Sequence, residues 1–419
     1  MISESVFLDY INTDKFKKAR FSVVLSLPAD SNQYAAGALL FPVSMRATKI
    51  FPDFSSLCKR CDELYAADIS DMSSLRGGVS LLGLRAQMLD NRYASESERN
   101  DGFDILAGVL QVMSQIMFSP LFKKEDVENE KLNLINRIRS QINDPFGFAL
   151  RRLRETMMAN TPGVISSSDA IDQISKITEK EISDYRAYLL SKARVEFFYC
   201  GTEPIERVTE LIKDNFYPVL QNSSERASAF KDREIESTRF VEEEGEYSQS
   251  QLLMGFRSNT FLSDEDFYAA ELANEIFGEG PVSKLFMNLR EKRSLCYFCG
   301  SGYDEINGIV TAGCGIAAKD RKEAQKEIFC QLEALKNGKI SDEELNAAKQ
   351  SIFSDCAEAE DNPEDYEEFS RMARAFGGPK TIEEYRSGIS QVTKDQISAA
   401  AQKFKLDTVY FLRGTAEER

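Results

Sequence analysis

Eight cysteines and a complete lack of histidine set the limits of the chemistry open to this 419-residue chain. Four of the cysteines form two C-x-x-C pairs, Cys58/Cys61 and Cys296/Cys299, a spacing used by zinc sites and by dithiol redox centres. The two pairs lie in opposite halves of the chain, whereas a zinc ribbon sets its pairs about 15–20 residues apart. Phe54, Leu57, Cys58, Cys61, Leu64 and Tyr65 repeat at helical spacing, so the first pair falls on an apolar stripe, where free cysteine acts as a small buried hydrophobe. Cys296-Tyr297-Phe298-Cys299 reads as a strand, in which residues three apart point to opposite faces. Both pairs are therefore expected to pack rather than to bind metal or cycle between redox states. The absence of histidine removes Ser-His-Asp and Cys-His hydrolases, imidazole zinc sites and any histidine general base.

Other patterns carry less. Gly313-Cys314-Gly315 followed by Ala318 can be written as a dinucleotide fingerprint, but no alternating β-α units precede it and no phosphate-binding Lys-Ser/Thr follows. Gly77-Gly78, Gly300 and Gly302 are expected to be turn and close-approach glycines. Glu358 to Glu368 is rich in carboxylates but lacks the ligand spacing and central glycine of a calcium loop, and is expected to be a solvated face.

The elements around these residues belong to an ordinary soluble protein with 42% hydrophobic and 29% charged residues. A net charge of −16 is the wrong sign for gripping nucleic acid or anionic lipid over a broad face. Met1 to Ser5 opens no basic-then-apolar leader, and no stretch approaches the roughly 20 apolar residues of a membrane span, so a cytoplasmic location is expected.

The sequence repeats itself over half its length. Glu125 to Lys131 matches Glu343 to Lys349 at an offset of 218, an offset kept by Asp144-Pro145 and Asn362-Pro363. Ile177 to Ser183 resembles Val392 to Ser398, and Val195 to Thr202 resembles Thr408 to Thr415, at offsets of 215 and 213. A drifting offset near half the chain predicts two homologous domains. Strands are predicted over Phe21 to Leu27, Val79 to Leu84, Val195 to Tyr199, Leu252 to Phe256, Ile309 to Ile316 and Val409 to Leu412. Ser263 with Asp266 is expected to cap a helix that Gly278 stops, and Ser341 with Glu344 to form a capping box. The fold class is therefore α+β, each half a mostly antiparallel sheet packed with helices. The expected domains are 1–220 and 250–419, joined by a polar linker over 221–249 that includes Ser223, Ser224, Ser228 and the acidic run Glu242 to Glu246.

The most specific stretch is Ser283 to Tyr297, with Arg290 and Tyr297 seven residues apart after an apolar helix. Together with the duplication and the helix of Glu130-Lys131 that runs to Asp144-Pro145, it resembles the pitrilysin and insulinase-type inverse zinc peptidases, which include the mitochondrial processing peptidase. The resemblance covers essentially the whole chain. It implies repeated α+β domains that enclose a peptide-degrading chamber, and an Arg/Tyr pair in the second domain, matched here by Arg290 and Tyr297.

The departures from the family pattern define the expected role. Active members carry H-x-x-E-H on the first helix, with a later glutamate as third zinc ligand. The corresponding region here, Gly37 to Ser44, offers no ligand, and the third position falls on Arg137, seven residues after Glu130. The resemblance thus implies a zinc-less subunit of a heterodimeric metallopeptidase, with zinc in a homologous companion and Arg290 and Tyr297 contacting the carbonyl of a peptide or unfolded polypeptide in the companion's site. Similar zinc-less bacterial proteins occur beside a zinc-bearing companion, one set of them associated with aminopentanol modification of elongation factor P. A structural scaffold and a peptide-binding homodimer without hydrolysis are the alternatives.

Overall fold

The computed structural model describes residues 6–221, 230–231, 235, 237–280 and 282–416. Two compact units emerge: the described parts of Met1–Arg139 with Pro162–Ser228, and those of Ser140–Thr161 with Ala229–Arg419.

In the first unit β1 (Val6–Asn12), β2 (Lys18–Pro28), β3 (Asp68–Arg76), β4 (Val79–Leu89) and β5 (Arg194–Gly201) form one sheet in the order β1-β5-β2-β4-β3. Only β1 and β5 run parallel; the other neighbours are antiparallel. β3 and β4 join through Gly77-Gly78 with φ of +53° and +75°, the left-handed pair that a two-residue hairpin loop requires. Alternate core residues of the central strands meet helices Tyr34–Ser44, Ile105–Phe118 and Glu179–Lys192. Phe21, Phe197 and Phe216 form an aromatic cluster there, with ring centroids 5.4–6.0 Å apart.

The second unit repeats this topology. β6 (Arg239–Gly245), β7 (Ser250–Arg257), β8 (Cys296–Asp304), β9 (Ile309–Ile316) and β10 (Lys405–Gly414) assemble in the order β6-β10-β7-β9-β8, with β6 and β10 the parallel pair. The duplicated sequence marks duplicated caps. Thr178 and Thr393 each close a capping box, and Asp144 and Asn362 each cap a helix whose first residue is proline. The α+β class with two mostly antiparallel sheets is thus the observed architecture.

Two segments depart from the expected boundaries. Helix Pro145–Met157, encoded in the first half, packs its Ala149, Leu153 and Met157 stripe on Leu253, Ile309, Tyr410 and Leu412 of the second sheet. Its C-terminal carbonyls are held by arginines. Arg239 donates to Thr156 O at 2.5 Å, Arg257 donates to Met157 O, and both guanidiniums pair with Asp407. Two arginine hydrogen bonds to its last carbonyls and an apolar stripe thus fix this helix to the second unit.

The acidic end of the expected linker is also structured, because Glu242 to Glu244 lie in β6 beside β10. Three of these carboxylates meet arginines of the same unit: Glu242 with Arg321, Glu243 with Arg152 and Glu244 with Arg413. Most of 222–236, including Ser223, Ser224 and Ser228, lies outside the described residues. Among the described residues no helix is long and apolar enough to cross a membrane.

Candidate functional site

Arg290 and Tyr297 are carried by a run of irregular backbone. Helix Phe267–Asn274 starts with Asp266 at its N-cap, later than the Ser263 pattern suggested, and passes into a π-helical turn over Glu275–Glu279 instead of stopping at Gly278. A second π-helical segment, Phe286–Lys292, anchors Leu289 in the core and turns Arg290 outward. Such i→i+5 segments are rare and gather at functional positions. The Arg290 guanidinium lies 4.9 Å from the Phe286 ring centre and 3.8 Å from the Glu291 carboxylate, and its side chain is 47% exposed. Ser294 ends the segment in the left-handed region at φ +51°, with its amide donating to Arg290 O.

β8 then begins as the edge strand of its sheet, and its pairing slips. Cys296 stands opposite Ile316 but Cys299 stands opposite Cys314, so three steps on β8 match two on β9. This bulge reverses the side-chain alternation across one residue. Cys296 and Cys299 consequently both face the core, at 8% exposure each, which corrects the expectation that they point to opposite faces. Tyr297 and Phe298 point outward. Tyr297 is 88% exposed, while Phe298 meets the edge of Phe146 at 5.0 Å.

The position matching the zinc helix of the resembled family is indeed helical, over Tyr34–Ser44, but most of its residues from Gly37 to Ser44 are packed in the core. Just beyond its end, Arg46 Nε donates to Glu130 Oε1 at 2.6 Å and a second guanidinium nitrogen reaches the same oxygen. The Arg46 plane also covers the Phe54 ring at 4.8 Å. A cation is thereby built into the site as guanidinium, and Arg137 brings another positive charge to the same helix as Glu130. This set does not fit zinc, which needs imidazole, thiolate or free carboxylate donors. Among the described residues no group of three or more Cys, Asp or Glu is arranged to hold a metal ion.

The remaining candidates resolve into packing. Cys61 lies against the first core, and burial pushes its thiol up to about 11. Gly313 gives its missing Cβ volume to the Phe146 ring, 3.0 Å from where a Cβ would sit, and β9 is antiparallel to both neighbours, so no phosphate cradle forms. In the acidic run, Glu360 pairs with Arg386, and Glu367 and Glu368 with Arg371. Sequence reasoning missed a group of acids behind β8. Burial raises the Glu275 carboxyl above its usual range, with Asp355 adding repulsion, and burial beside Glu305, Glu279 and Glu275 raises Glu271 further.

The chain is similar to several known proteins in sequence and in fold. The sequence profile described as peptidase M16 inactive domain matches residues 176–352. A Bacillus subtilis (strain 168) protein described as probable inactive metalloprotease YmfF is 28% identical over 410 residues, covering 97% of this chain and 95% of the relative. A conserved protein from Enterococcus faecalis V583 has a crystal structure that superposes with a TM-score of 0.89 at 24% identity, covering 99% of this chain and 98% of that one. The peptidase M16 inactive domain from Pseudomonas fluorescens gives 0.78 at 17% identity, covering 97% and 95%.

Proposed function

The chain belongs to the M16 family of pitrilysin and insulinase-type peptidases as a member without zinc ligands, and from that premise we propose that it is the non-catalytic subunit of a heterodimeric metallopeptidase. In this reading a homologous companion holds the zinc that activates water, and this chain presents Arg290 and Tyr297 to a peptide bound in the companion's site. The observation that carries the proposal is the placement of Tyr297. A tyrosine that merely packed would be buried, yet this one is 88% exposed at a bulge on an edge strand, following a π-helical turn that directs Arg290 outward.

The chemistry follows from what the two side chains donate. Attack of water on a peptide carbonyl builds negative charge on its oxygen, and a phenol and guanidinium held at that position stabilise the charge as it develops. Tyr297 is held on the edge strand β8 and Arg290 on the π-helical segment before it, so neither side chain hangs from a free loop. The name of the B. subtilis relative, probable inactive metalloprotease, supports the absence of hydrolysis by such a chain alone.

Metal analysis and a fluorogenic peptide assay of the purified chain should show no stoichiometric zinc and no turnover. Mixing with the zinc-bearing companion should give a one-to-one complex by sedimentation, with chelator-sensitive hydrolysis. A chain that binds zinc and hydrolyses peptide alone, or that stays monomeric with the companion, contradicts the proposal.

A further inference from the structure

We infer that Cys296 and Cys299 form a redox-active dithiol whose oxidised state is an intrastrand disulfide closed across the bulge of β8. A C-x-x-C sequence in a regular strand sends its two sulfurs to opposite faces of the sheet. Here the slip between Cys296/Ile316 and Cys299/Cys314 turns both onto one face, with Tyr297 and Phe298 as the two residues between them. Both side chains lie in the second core and neither is more than 8% exposed. Hydrophobic packing alone does not call for two cysteines on one face at the slip in the β8–β9 pairing.

The surroundings divide the work between the sulfurs. Interaction between the two thiols lowers Cys296 below the usual thiol range and, with burial, raises Cys299 above it. The nearby Arg290 charge favours the thiolate at both, against the opposing cost of burial. Cys314, fully buried opposite Cys299, is raised by burial and stays a thiol. Cys296 is thus the nucleophile and Cys299 the resolving partner.

The oxidant this assigns is hydrogen peroxide, small enough to reach cysteines that are 8% exposed. The Cys296 thiolate attacks one peroxide oxygen and the O–O bond breaks. The leaving hydroxide takes up a proton and departs as water, leaving Cys296 as a sulfenic acid. The Cys299 sulfur then attacks the Cys296 sulfur and loses its proton, and the sulfenic hydroxyl leaves as a second water. Two thiols are oxidised to one disulfide while one peroxide is reduced to two waters. The ring so closed contains Tyr297, so oxidation locks the segment that displays it.

Treatment of the reduced full chain with hydrogen peroxide, followed by alkylation and peptide mass mapping, tests this. The peptide holding both cysteines should lose two hydrogens, resist alkylation and recover both thiols with dithiothreitol. Cys299→Ser should stop at a sulfenic acid on Cys296 that dimedone traps, and Cys314→Ser should still form the disulfide. Continued alkylation of both thiols overturns the inference. So does a Cys299–Cys314 bond, or a sulfinic acid on Cys296 while Cys299 remains alkylatable. Because the wild-type chain gives the primary readout without a companion or peptide substrate, the result is independent of the proposed subunit role.

Discussion

The Arg46 guanidinium clasps the Glu130 carboxylate, with Nε 2.6 Å from Oε1, beside the helix that in active relatives would carry zinc ligands. The Glu130 side chain is 8% exposed and that of Arg46 33%, so the pair is shielded enough for its loss to matter. Arg46→Ala leaves a buried carboxylate with its main donor removed and should destabilise the protein by about 1–3 kcal/mol. Glu130→Gln in the same background should recover part of that loss in urea denaturation. Equal stability of wild type and Arg46→Ala would show that the pair is incidental.

Helix Pro145–Met157 supplies a second test. Leu153 is fully buried on the second sheet, with Met157 one turn further along. Leu153→Ala should cost about 2–5 kcal/mol, the range for truncating a buried leucine. The loss should appear in hydrogen exchange as weakened protection of β7 and β10, the strands this helix covers. Unchanged protection there would place the stripe's energetic weight elsewhere.

The buried acids behind β8 set a pH dependence whose sign is fixed. Glu271 and Glu275 hold their protons to higher pH in the folded chain than in the unfolded one. The folded state therefore binds more protons, and their contribution to stability is present at low pH and lost as pH rises above the usual carboxylate range. The melting temperature should fall over the pH interval just above the usual carboxylate range, and Glu275→Gln should reduce that fall while changing little below it. A wild-type melting temperature that rises across this interval contradicts the burial of these groups.

The parts of the fold legible in the sequence are those where one residue type decides the outcome. β2, β4, β5, β7, β9 and β10 are largely buried, and their β-branched and aromatic runs mark them. The edge strands β3 and β6 are half polar, with Asp68, Asp71 and Glu242 to Glu244 among their residues, so their identity comes from pairing with a neighbour. The stripe of helix Pro145–Met157 says that one face is buried but not on which sheet. Similarly, Arg290 and Tyr297 stand out by their spacing in a family pattern, whereas the bulge depends on the register with β9. Arg46 and Glu130 are 84 residues apart, a separation no local pattern spans.

The most direct measurement of the central claim is the turnover of the companion complex carrying Tyr297→Phe or Arg290→Ala in this chain. If the pair stabilises the charge that develops on the scissile carbonyl, each substitution should cost about 2.7–4 kcal/mol in the transition state, or roughly 10²–10³ in kcat. The one-to-one complex should still form, because the exposed Tyr297 and half-exposed Arg290 are not part of the core. Full kcat in both variants, with the complex intact, would contradict the account and reduce the subunit to a structural wall.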